Sequence, residues 1–78
     1  MNSTITAAPV FSMNLTDGAH WLRFAVERAP ELGWRIREEA DAQVIRQVTF
    51  DDWHRVELAI RGFSAKAANL TRHGWRRD

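Results

Sequence analysis

The sequence predicts an α+β domain, a short antiparallel sheet in the order βαββα with two helices packed on one face. Three patterns predict it. Trp53, Val56, Ile60, Phe63, Ala67 and Leu70 recur at spacings of three and four, laying one apolar stripe along a helix from about Asp52 to about Arg72. Val44, Val48 and Phe50 alternate with polar neighbours and feed as a strand directly into that helix. Leu22, Ala25, Val26 and Ala29 repeat at helical spacing behind Thr16 and Asp17, either of which can cap a first helix.

The remaining elements follow in chain order. Phe11, Met13 and Leu15 alternate with Ser12 and Asn14, the pattern of a half-buried strand. Trp21 and Phe24 widen the apolar face of the first helix, and Pro30 stops it. Gly33 permits a turn into a strand from Trp34 to Glu38, with Trp34 and Ile36 on one face and Arg35 and Arg37 on the other. Residues 39–42 connect to a second hairpin arm, Gln43 to Phe50. On that arm Arg46 shares the face of Val44, Val48 and Phe50, so its stem is expected along the core and its head towards solvent or a carboxylate. Thr49 followed by Asp52 resembles a capping box, and Gly74 suits a left-handed helix stop. Gly62 costs about 1 kcal/mol relative to alanine inside a helix, so compensating packing is expected there. Leu58, Gly62, Ala65 and Asn69 form a second row of mostly small residues, either a close-approach surface or plain solvent-facing positions. Residues 1–9 read as a flexible N-terminus, 10–75 as one domain and 76–78 as a basic tail.

A chain of 78 residues buries only about 60% of its unfolded surface, so a single core is marginal. There is no cysteine, hence neither a disulfide nor a thiolate metal site to compensate. Self-association is expected in consequence, through an open sheet edge or through Leu58, Gly62 and Ala65. Met1 to Thr6 carry no positive charge and lead into no long apolar run, so neither a secretion signal nor a membrane partner is expected, and a cytoplasmic location is. The formal net charge of +1 hides a basic end: Arg61, Lys66, Arg72, Arg76 and Arg77 occur with no acid until Asp78. Such a stretch attracts nucleic acid or an acidic protein face, or is a solvated helix face whose cations favour the macrodipole.

Catalytic and metal patterns are absent from the sequence. His20, His54 and His73 lie on separate segments without zinc-like spacing, and no cofactor is expected. Asp51, Asp52 and His54 fall at a helix start, where capping accounts for the acids, and Ser64 and Lys66, two apart on a helix, face away from each other. The glycines form no phosphate loop. Small size, no catalytic set and four tryptophans lead to a non-catalytic protein-interaction module, an accessory or inhibitor protein of the kind bacteria and their phages encode, acting by occupying a partner protein's surface. The expected contact residues are Arg61, Arg72, His73, Trp75 and Arg76, with Trp75 either an apolar anchor or a lid folded back over the helix end. A nucleic-acid-binding module using the basic end is the alternative, without helix-turn-helix spacing to support it.

Gly33-Trp34, Asp41-Ala42, the run Val44 to Phe50, Asp52-Trp53, Arg55, Ala67, Leu70 and His73 together resemble pterin-4a-carbinolamine dehydratase. The likeness spans residues 33–73, about half of the chain. It implies a short helix before two antiparallel strands and a long helix, and a site built on a His-His pair where that long helix ends. Arg72-His73-Gly74 stands at the place of the pair, so only His73 carries over. The family's further histidine and aspartate come from later elements, which a sequence ending at Asp78 does not reach. A lone His73 cannot perform both proton transfers of a carbinolamine dehydration, so the resemblance implies a degenerate relative and leans against an enzyme.

Overall fold

The computed structural model describes residues 9–78; the expected mobile N-terminus therefore lies, up to residue 8, outside the described residues. The elements are β1 (Phe11–Thr16), β2 (Trp21–Arg28), β3 (Trp34–Ala40), β4 (Gln43–Phe50), α1 (Trp53–Thr71) and β5 (Arg76–Arg77). All five strands form one antiparallel sheet in the order β4-β3-β2-β1-β5. α1 is the one helix among the described residues, and it crosses one face of the sheet. Its N-terminal Trp53 packs edge-on to Trp34 of β3, with ring centroids 5.0 Å apart, and its C-terminal end reaches β5. None of the described helices is long and apolar enough to cross a membrane.

The βαββα order with two helices is thus corrected to four consecutive strands, one helix and a short closing strand. Residues 21–28 are a strand because Leu22, Phe24 and Val26 also alternate at period two, and strands on both sides reward that alternation. In register, Phe11 faces Val26, Met13 faces Phe24 and Leu15 faces Leu22, all on the helix side. Asp17 caps no helix. Its Oδ1 accepts hydrogen bonds from the amides of Ala19 and His20, while Thr16 Oγ1 accepts from Gly18 and donates to the His20 carbonyl, closing the β1–β2 hairpin. Pro30 lies in the β2–β3 loop rather than at a helix end. The supposed basic tail is β5, whose Arg76 and Arg77 pair with Thr16 and Leu15.

The core lies between α1 and the sheet, with Leu15, Phe24, Val26 and Ile36 from the strands meeting Val56 and Phe63 from the helix. The predicted stripe is the buried face of α1 except at Trp53, which stays 37% exposed at the helix start. Asp52 is the N-cap, accepting from the His54 amide at 2.9 Å; Thr49, the capping residue expected from sequence, belongs to β4. Gly33 adopts φ +88° directly against the Phe50 carbonyl, leaving no room for a Cβ. Gly74, with φ +98°, ends the helix region as expected.

One further correction concerns β4. Glu38 pairs with Arg46 but Glu39 pairs with Val44, so Ile45 is an extra residue, a β-bulge. Arg46, Val48 and Phe50 face the helix, whereas the bulge turns Val44 to the opposite face beside Glu39. Arg46 therefore points to the packed side as predicted, without Val44 as its companion.

Candidate partner-binding groove

α1 leaves part of the helix-side face uncovered next to β4. A groove of 670 Å³ occupies that part. Its floor is the stacked pair Phe24 and Phe63, with centroids 4.6 Å apart and planes 14° from parallel. One wall is the strand pair Arg46 and Phe50, and the other is a flank of α1 carrying Arg55, Leu58 and Gly62. β4 borders the groove as the end strand of the sheet.

Charge in the groove is set by Glu38. Alternation with Trp34 and Ile36 puts it on the helix side of β3, where it is only 7% exposed. Lys66 Nζ donates to its Oε2 at 2.9 Å, and Arg46 stands opposite it in register. Arg46, Arg55 and Lys66 thus present three cations against one carboxylate that is already engaged by Lys66. The ammonium of Lys66 also lies 6.0 Å from the centroid of the Phe63 ring, so its charge sits over the aromatic floor.

Gly62 sharpens the shape of the wall. A Cβ placed there would meet nothing within 4 Å, so the packing expected to compensate for a mid-helix glycine is missing, and the glycine leaves the wall low. Leu58, 49% exposed, stands one turn before it. Of the small-residue row, Leu58 and Gly62 line the groove; Ala65 and Asn69 are exposed positions off it.

The basic end is arranged differently from the expected patch. Trp75 is half-buried and packs on the core, and its amide donates to the Leu70 carbonyl at 3.1 Å. Of the two roles open to it, that geometry is the lid's. His73 Nδ1 donates to the Asn69 carbonyl at 2.8 Å. Arg72 is the helix C-cap, and Arg61 lies eleven residues earlier on the same helix, roughly 16 Å along its axis. Arg76 sits in β5. Contiguity brings Arg72, His73, Trp75 and Arg76 together, and Arg61 lies apart from them.

A second polar cluster lies at the hairpin ends. Asp41 and Ala42 form the tight β3–β4 turn with φ of 51° and 68°, a pairing of positive φ values that favours Asn-Gly or Asp-Gly. Asp41 accepts from the Trp21 amide at 2.9 Å and from His20 Nδ1 at 3.1 Å, which ties the turn to the start of β2. The bond to Asp41 raises the His20 pKa, the Trp21 amide lowers that of Asp41, and the amides of Ala19 and His20 lower that of Asp17. Among the described residues no group of three histidine or acidic side chains is placed to hold a metal ion.

Sequence reasoning singles out Arg46, Leu58 and Gly62, places Phe24 on the apolar face of a first helix and Arg55 within the dehydratase resemblance, and gives Glu38 no role. The signal for Glu38 was present: continuing the Trp34 and Ile36 alternation by two residues places a carboxylate on the inward face. Compared with known proteins, the chain matches no family model, no curated protein and no solved structure.

Proposed function

We propose that this chain is a small non-catalytic protein-interaction module that docks a partner protein along the α1–β4 side. The observation that carries the reading is the coincidence of an end strand with a groove that no side chain of the described residues fills. An end strand offers unpaired main-chain groups for affinity, and an adjoining pocket offers side-chain selection, the two ingredients of strand addition. Leaving Gly62 in mid-helix at a cost of about 1 kcal/mol, with no internal contact to offset it, fits a surface kept open for an occupant.

An accessory or inhibitory role follows from such a mode, since a module of this size acts by covering part of its partner. The opposite sheet face is a weaker choice: there Arg35 approaches Glu27 and Arg37 approaches Glu39, a solvated face of offsetting charges. The basic end is weaker too, because adjacent strand residues such as Arg76 and Arg77 point to opposite faces. The dehydratase resemblance over residues 33–73 lends this reading no support, since the short helix it implies before the two strands is β2; His73 is a helix-end hydrogen-bond donor to Asn69.

The test compares proteins retained from a cell extract by the immobilised wild type, Leu58→Glu and Trp75→Ala. Leu58→Glu is expected to melt like wild type and lose the retained partner, whereas Trp75→Ala is expected to melt lower and keep it while folded. The same partner held equally by Leu58→Glu, or lost by folded Trp75→Ala, would return the binding surface to the basic end.

A further inference from the structure

Resting on the reading of the α1–β4 side as a docking surface, we infer that its occupant is an acidic extended segment of another protein. It adds as a strand to β4, seats a carboxylate between Arg46 and Arg55, and lays an apolar side chain against Phe50 and Leu58. Charge complementarity selects this occupant. The groove holds Arg46, Arg55 and Lys66, and its sole carboxylate, Glu38, is held by Lys66 at 2.9 Å. Neither arginine has a hydrogen-bond or ion-pair partner among the described residues, so both guanidinium groups remain for a ligand. Arginine forks suit carboxylates, and Phe50 and Leu58 supply apolar surface in the same groove.

A second copy of the chain fits less well. A two-fold interface sets each patch against itself, so edge pairing through β4 would bring the cationic groove of one copy towards that of the other. Like charges facing each other across an interface select against that assembly. A strand of opposite charge meets no such repulsion. Period-two geometry also states the recognised pattern: alternate residues of the incoming strand face the groove, so acidic and apolar groups should recur every second position.

The experiment is selection from a displayed library of random octapeptides against the folded protein, followed by amide exchange on the complexes. Enrichment of Asp or Glu at alternate positions, slowed exchange at β4 amides, and roughly tenfold weaker binding by the Arg46→Gln/Arg55→Gln double variant are expected. Raising salt should weaken the selected peptides as well. The same double variant should melt like wild type, since both side chains are exposed. Peptides that protect β4 without acidic enrichment would overturn the acidic segment and leave the docking surface standing. Failure to select any peptide that protects β4 would overturn both readings. Sedimentation of the protein alone as a dimer, with β4 amides protected, would give the surface to a second copy and overturn this inference.

Discussion

Lys66 of α1 and Glu38 of β3, 28 residues apart in sequence, meet at 2.9 Å, with the carboxylate buried and the ammonium nearly half exposed. This contact joins the helix to the sheet through charge at the margin of an otherwise apolar seam. Removing one partner has unequal consequences. Lys66→Met should destabilise by about 1 to 3 kcal/mol by leaving a buried carboxylate short of a donor, and Glu38→Gln, which keeps a buried acceptor, should cost less. Urea unfolding of both variants measures the difference, and equal losses would mean that the pair does not anchor Glu38.

Phe63 and Trp53 begin and punctuate the same apolar stripe but should respond differently to truncation. Phe63 is 4% exposed and stacked on Phe24, so Phe63→Ala should cost about 3 to 5 kcal/mol. That is a large share of a stability of about 5 to 15 kcal/mol. Trp53, 37% exposed with an edge-on contact to Trp34, should cost less than half as much when changed to Ala. Similar melting temperatures for the two variants would contradict the placement of α1.

Two glycines make opposite forecasts. Gly33→Ala puts a Cβ at φ +88° into the Phe50 carbonyl and should destabilise by more than about 2 kcal/mol. Gly62→Ala meets open space in a helix and should stabilise by about 0.5 to 1 kcal/mol. Chemical denaturation decides both. If Gly62→Ala were destabilising, the open wall of the groove would have to be occupied by something within the chain.

The hairpin cluster makes a pH forecast. The His20 pKa is raised in the folded state, so its contribution is complete below the unfolded value of about 6.5 and fades as pH rises through the higher folded value. Asp17 and Asp41 are lowered, so theirs is present above the unfolded value of about 3.9 and fades as pH falls through the lower folded values. All three therefore act together between about pH 4 and 6.5. In an NMR titration Asp41→Asn should move the His20 midpoint down; an unchanged midpoint would show that the contact does not persist in solution.

How far the sequence foretold this molecule depended on the distance over which each pattern is decided. The α1 stripe beyond Trp53 and the alternation of β1 and β3 are local, and all three emerge as read. Residues 22–29 satisfy a helical spacing through Leu22, Ala25, Val26 and Ala29 and a strand spacing through Leu22, Phe24 and Val26. Only the flanking β1 and β3, which occupy both sides of β2, break that tie. The bulge at Ile45 leaves no local mark either, which is why Val44 was placed on the wrong face. In the groove, Arg46 and Leu58 could be picked out singly, but the Glu38–Lys66 pair and the aromatic floor come from chain crossings that no short window contains.

The short β5 also has a consequence for where another strand can join. Pairing of Arg76 and Arg77 with β1, continued by the Asp78 amide bonding the Asn14 carbonyl, occupies part of the margin opposite β4 and leaves an end strand of two residues there. Edge-to-edge growth needs a usable margin at each end of the sheet, and very short end strands are poor templates. The two margins of the sheet therefore differ in the length of end strand they offer. Among the described residues a strand arriving at β5 finds two residues to pair with and one arriving at β4 finds eight, so assembly along β4 is favoured over assembly at the opposite margin.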